Sequence, residues 1–132
     1  MFPGGSWPFS VRQLHRIADK RSDLTVAMDH DELVGFANLY DLVPQQRAFI
    51  GNVIVKTSQR GQGTGEYLVE YMLDRIFTHH RLPEAMILVF ADNRPAFNLY
   101  RKLGFKTVSS TTRQGSDGRA MILLQMKLVR GL

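Results

Sequence analysis

The chain has 132 residues, of which 44% are hydrophobic and 22% charged, with a net charge of +5 and no cysteine. That is the composition of one ordinary globular domain, taken here as residues 1–132, with a core that buries about two-thirds of the unfolded surface. It excludes a disulfide framework, a thiolate metal site and a cysteine nucleophile, and no apolar run approaches the roughly 20 residues that span a bilayer.

Residues Met1 to Pro8 are rich in Gly and Pro and read as irregular. Ser10 is a candidate N-cap for a helix over Val11–Lys20, with Val11, Leu14, Ile17 and Ala18 on one face. Leu24–Asp29 and Leu33–Leu42 read as a hairpin joined at His30-Asp31, and Ala48–Lys56 follows as a third strand after Pro44. Next comes a glycine-rich stretch, and then Tyr67, Leu68, Tyr71, Met72, Leu73 and Ile76 recur at helical spacing to about His80. The remaining elements are a strand Ala85–Ala91, a helix Pro95–Leu103, a strand Phe105–Thr112, a polar turn over Gln114–Gly118 and a last strand Ala120–Leu128. The sum is a mixed α/β sheet with helices packed on its faces.

Arg60-Gly61-Gln62-Gly63-Thr64-Gly65 lies between the apolar run ending Val53-Ile54-Val55 and the following helix. Glycines there let backbone approach a ligand without Cβ atoms in the way. A helix starting at that point offers unpaired N–H groups and the positive end of its dipole, a combination that favours a phosphate or pyrophosphate. A dinucleotide fingerprint beginning at Gly61 would need glycine where the chain has Glu66, and no Gly-Lys-Ser/Thr triplet makes a P-loop. The pattern that matches is R-x-x-G-x-G, through Arg60, Gly63 and Gly65.

A second segment runs from Asn93 to Phe105. It reads as a helix with Asn93 at its N-cap, Pro95 in its first turn and Gly104 at its C-terminal stop. The same residues fit N-x-x-A-x-x-x-Y-x-K-x-G-F at every specified position. Together, in this order and with one strand between them, the two segments resemble the GNAT superfamily of acetyl-CoA-dependent N-acetyltransferases. The resemblance extends from about Val34 to about Leu128. The fold expected is a GNAT fold with a mostly antiparallel central sheet, but nothing before Ser10 looks like the usual first strand, which leaves two alternatives: a reduced version of the fold, or a chain shorter than its relatives at the N-terminus.

The resemblance implies an enzyme in which an amine attacks the thioester of acetyl-CoA directly within a ternary complex. It implies that the backbone of Val53 and Val55 pairs with the pantetheine arm, that Arg60, Gly61, Gln62, Gly63, Thr64 and Gly65 hold the pyrophosphate, and that Asn93 contacts the pantetheine. It makes Tyr100 the candidate general acid, since a phenol can protonate or hydrogen-bond a departing thiolate. Lys56, Arg60, Arg101 and Lys102 flank the two motifs and suit a polyanionic coenzyme. No base is assigned: the strand before the glycine loop offers Asn52, and Asp41, Glu32 and the pair His79-His80 are the nearest groups of the right type. The histidine pair reads as a cap at the C-terminal end of its helix.

The four histidines form no ligand-spaced cluster, so no metal is expected. The cations are scattered rather than gathered in a stripe with aromatics, which argues against nucleic acid. No secretory leader is visible, and the absence of cysteine is compatible with a cytoplasmic setting. The acceptor remains open among small amines and protein or peptide amines, and dimerisation, common in the family, leaves no legible interface. The competing reading is a non-catalytic acyl-CoA-binding module of the same fold, acting as sensor or scaffold.

Overall fold

A computed structural model describes residues 21–115 and 117–131. The expected N-terminal helix, and the question of a strand before it, lie outside the described residues. Among the described residues six strands form one sheet: β1 (Ser22–Asp29), β2 (Glu32–Val43), β3 (Arg47–Val55), β4 (Glu84–Phe90), β5 (Lys106–Gln114) and β6 (Ala120–Val129). Their order is β1-β2-β3-β4-β6-β5, and every neighbouring pair is antiparallel except β3 with β4. Among the described residues α1 (Thr64–Asp74) connects β3 to β4, and α2 (Arg94–Lys102) connects β4 to the edge strand β5. Each strand expected from the sequence is present, and the β1–β2 turn falls at His30-Asp31.

Leu68, Val69 and Met72 recur at helical spacing on α1 and are buried against Ala37 and Leu39 of β2 and Ala48, Ile50 and Val53 of β3. Each large side chain sealed there contributes about 1.5–3 kcal/mol. Gly35 on β2 permits this close approach, because a Cβ on it would lie 2.9 Å from a methyl of Leu68. Ile87 and Val89 on β4, Met126 on β6, Tyr100 on α2 and Phe105 continue the same core. From Val34 to Leu39 every residue of β2 is buried, so that strand is covered on both faces.

The helix does not stop at Asp74. It widens through Arg75–His79, where the His80 N–H reaches the Arg75 carbonyl five residues back. The expected histidine cap is partly a different device. His80 closes the helix end with its backbone, whereas its ring nitrogen Nε2 sits 3.0 Å from the Asp23 carboxylate on β1. Arg75 Nε donates to the same carboxylate at 2.7 Å. Asp23 is only 5% exposed at its side chain. Burial alone would raise its pKa, but hydrogen bonds from Arg75, His80 and Ser22 outweigh that and hold it below the usual carboxylate value. No helix among the described residues is long and apolar enough to cross a membrane.

Candidate functional site

Strands β3 and β4 pair only from Arg47↔Glu84 to Ile50↔Ile87. Beyond Ile50, β3 runs on beside β2 alone, and beyond Ile87, β4 runs on beside β6. The cause is local. Between Asn38↔Gly51 and Phe36↔Ile54, β2 advances two residues and β3 three, so β3 carries a bulge at positions 52–53. A bulge bends its strand and increases its twist, which turns β3 away from β4. The parted strands leave unpaired backbone groups on β3 facing a cleft of about 690 Å³. Val53 and Val55 form its floor.

One wall is the glycine loop and the start of α1. Arg60, Gly61, Gly63 and Gly65 line it, with Gln59 and Glu66. Gly61 and Gly63 have φ of +82° and +86°, a region where a side chain is strained, and a Cβ at either would meet nothing within 4 Å. Gly63 is the N-cap of α1 and has no side chain to satisfy the first-turn N–H groups, which stay available to a ligand. For two residues of the expected set, whose expected part is played by backbone amides, the side chains point elsewhere. Gln62 points its amide back at the Ser58 carbonyl, 3.2 Å away, and Thr64 packs its methyl toward Gly35, so neither side chain lines the cleft. Glu66, the acid of the first turn, is bonded to Lys102 Nζ on α2 at 2.9 Å, and this lysine holds the Glu66 carboxyl below its ordinary pKa.

The opposite wall is α2. Asn93 caps it, with Oδ1 accepting from the Ala96 N–H at 3.5 Å and Pro in the first turn, as its sequence requires. Asn93, Ala96, Leu99 and Tyr100 face the cleft. Tyr100 is 3% exposed, packs on Phe105 at 6.0 Å between ring centroids, and has its pKa pushed up to about 12 by burial. Of the other cations near the motifs, Lys56 pairs with Glu32, and Arg101 and Arg94 stack over Phe97. The candidate bases lie elsewhere: Asp41 binds Arg47, Glu32 binds Lys56, and neither these nor His79 and His80 line the cleft. Among the described residues, no group of three or more His, Asp or Glu is placed to hold a metal ion.

The opposite face of the sheet carries a feature not read from the sequence. Gly35, Ala37 and Leu39 face α1, so Phe36, Asn38 and Tyr40 face away from it. Asn38 is 0% exposed, and among the described residues neither Oδ1 nor Nδ2 has a hydrogen-bond partner. Arg21 stacks its guanidinium over the Tyr40 ring at 4.2 Å and buries Nη1, likewise without a partner among the described residues. The signal was present as a lone amide inside the apolar run Leu33-Val34-Gly35-Phe36-Ala37-Asn38-Leu39-Tyr40. A buried unsatisfied amide costs about 1–3 kcal/mol, so its retention calls for a reason.

A family model described as the acetyltransferase (GNAT) family matches residues 2–105, and the chain belongs to that family. It is 33% identical over 104 residues to a mycothiol acetyltransferase of Corynebacterium glutamicum (strain R), spanning 73% of this chain and 35% of that protein. It is 30% identical over 95 residues to an N-alpha-acetyltransferase of Sulfurisphaera tokodaii, spanning 71% of this chain and 57% of that one. The chain therefore covers about a third and rather over half of these two relatives. A solved ribosomal-protein-alanine N-acetyltransferase from Brucella melitensis superposes with a TM-score of 0.74 over 90% of this chain and 75% of its own, at 22% identity, a likeness of fold.

Proposed function

We propose that the chain, acting as a single domain, is an acetyl-CoA-dependent N-acetyltransferase that acetylates a primary amine by direct attack in a ternary complex. The observation that carries the reading is the parting of β3 from β4 beneath the uncapped start of α1, with Tyr100 on the facing wall. Coenzyme A suits this cleft by its chemistry. The first-turn N–H groups of α1 and the glycine backbone are donors for a pyrophosphate. The unpaired edge of β3 at Val53 and Val55 accepts an extended amide chain as an added strand would. Asn93 faces them from the opposite wall, its Oδ1 engaged by the Ala96 N–H.

When bound, the coenzyme supplies an acetyl group activated as a thioester. The protein's part is chiefly to hold amine and acyl carbon together, which contributes several kcal/mol by making the encounter intramolecular. At a pKa of about 12, the Tyr100 phenol stays protonated at neutral pH and donates a hydrogen bond to the sulfur as negative charge develops there. Among the described residues that line the cleft, the carboxylate of Glu66 is engaged by Lys102, so we assign no base and propose water as the carrier of the amine's proton. We place the protein in the cytoplasm, a setting compatible with a chain that has no cysteine.

Calorimetric titration with acetyl-CoA, with ATP as control and Gly63→Trp as a blocked cleft, tests the reading. Micromolar binding that prefers acetyl-CoA and disappears in the variant is the expected result, followed by thiol release with an amine acceptor. Failure of the wild type to bind would reduce the glycine loop to a structural turn. Binding without transfer to any amine would favour the sensor reading.

A further inference from the structure

Glu66, in the first turn of α1, lines the coenzyme cleft, and its Oε1 accepts a hydrogen bond from Lys102 Nζ in the last turn of α2 at 2.9 Å. The bond ties one wall of the cleft to the other, and it lies at the anion-binding end. The first helical bond of α1 runs from the Tyr67 N–H to the Gly63 carbonyl, so the N–H groups of Thr64, Gly65 and Glu66 precede it with no helical carbonyl to bind. A pyrophosphate resting on those donors sits beside the Glu66 carboxylate, which sets two negative groups on one helix turn. We infer that the Glu66–Lys102 bridge is a strap across the cleft, and that the coenzyme opens it by drawing Lys102 from Glu66 onto one of its own phosphates.

The charges decide which partner wins. Glu70, one turn further along α1, acts on the same lysine, and the two carboxylates hold the Lys102 ammonium above its ordinary pKa, the hydrogen bond to Glu66 chief among the causes. Two carboxylates against one ammonium leave the cluster negative, so as it stands it repels a polyanion from the α1 donors. The bridge is also easily given up. The side chains of Lys102 and Glu66 are 68% and 33% exposed, and an exposed ion pair of this kind is weak. A phosphate offers Lys102 more charge and more acceptor oxygens than a carboxylate does, and the four-carbon stem lets the ammonium follow it. Glu66 is then released to water. A strut that only held α1 and α2 together would need both partners in the bound state, whereas a strap that exchanges needs Lys102 and binds better without Glu66. Only ion pairs and hydrogen bonds change hands.

This inference rests on the acetyl-transfer reading, and the test separates the two. Acetyl-CoA is titrated calorimetrically at low salt into the wild type, Lys102→Gln, Lys102→Arg and Glu66→Gln, with Tm read for each. Shifts of opposite sign are expected: Lys102→Gln weakens binding about fivefold or more, and Glu66→Gln tightens it about two- to fivefold. Lys102→Arg, which keeps the charge, stays within about twofold of the wild type. Both shifts shrink as salt is added. Coenzyme lacking its 3′-phosphate tells which phosphate takes the lysine: the Lys102→Gln effect persists with that ligand where the pyrophosphate does, and vanishes where the 3′-phosphate does. Should Lys102→Gln not fold, the sign of the Glu66→Gln shift carries the test. Shifts of the same sign, or the absence of either shift in a folded variant, overturn the inference alone and leave the coenzyme site standing. Failure of the wild type to bind acetyl-CoA overturns the underlying reading and this inference with it.

Discussion

Replacing Tyr100 with Phe removes one hydroxyl and leaves the ring. Tyr100 is only 3% exposed, and its packing on Phe105 needs no oxygen, so the variant is expected to fold with Tm nearly unchanged. The effect falls on chemistry. A phenol at about 12 is some 3.5 pH units weaker as an acid than a thiol near 8.5, so complete transfer of its proton to a thiolate is uphill by about 5 kcal/mol. Its contribution is instead a charge-assisted hydrogen bond to sulfur, about 1.5–3 kcal/mol. That converts to a fall of about 10- to 100-fold in the rate of acetyl transfer, with the dissociation constant of acetyl-CoA shifted by less than about threefold. Single-turnover measurement of thiol release reads the chemical step without interference from product release. An unchanged single-turnover rate would refute the role given to this hydroxyl. Stability supplies a second readout of the same burial. Below pH 10 the phenol is protonated in both states and contributes no pH dependence. Between 10 and about 12 the unfolded chain ionises while the folded one does not, so on the order of 3 kcal/mol of stability is lost over that window, and Tyr100→Phe is expected to remove this portion of the alkaline slope.

Three further outcomes follow from particular contacts. Gly51→Ala sets a methyl 2.6 Å from the Tyr40 ring, which cannot swing aside as the Arg21 tip can, and is expected to cost about 1–3 kcal/mol in urea unfolding; a wild-type midpoint would show that the ring yields to the added methyl. Asp23→Ala strips Arg75 and His80 of their common partner, and since both retain some access to water the cost is set at about 1–3 kcal/mol. Because the Asp23 pKa is depressed, its stabilisation is present above the unfolded value of 3.8 and lost as pH falls through the lower folded value, so Asp23→Ala is expected to flatten the acid limb of the stability profile below pH 4. Glu66→Gln removes a negative charge beside the α1 donors, and acetyl-CoA affinity is expected to rise about two- to fivefold at low salt, the gain shrinking as salt is added; lower affinity would show that the Glu66–Lys102 bridge helps form the cleft.

Elements that rest on local chemistry were legible in the sequence. Asn93 and Gly104 announced the ends of α2, because a side-chain cap and a left-handed stop (φ +107° at Gly104) are properties of single residues. The glycine loop and the strands were readable for the same reason. Features made by pairing distant residues were not. Asp23 meets Arg75 and His80 across 52 and 57 positions, and the expectation of a simple helix cap at His80 missed its carboxylate partner on β1. Glu66 entered the sequence reading only as the residue that broke a glycine fingerprint, and its bond to Lys102 depends on how α1 and α2 approach. Asn38 was visible as an odd letter in an apolar run. Its orphaned state depends on what Gly51 and Arg21 bring beside it.

The bulge on β3 links the two faces of the sheet, and it can be removed without disturbing the core. Deleting Asn52 would let Asn38↔Gly51, Ala37↔Val53 and Phe36↔Ile54 follow one another as an ordinary antiparallel ladder, with Val53 still facing α1 and Ile54 still facing away. The hydrophobic pattern therefore survives, and the shortened chain is expected to match or exceed the wild-type Tm. What the deletion removes is the bend. A straight β3 can continue pairing with β4 past Ile50↔Ile87, so the backbone groups that faced the cleft become ladder partners. Acetyl-CoA binding is expected to fall at least a hundredfold in a protein that is no less stable, a combination that no loss of packing produces. Retention of wild-type affinity in a folded deletion variant would show that the strands part for a reason other than the bulge, and would move the origin of the cleft to the glycine loop.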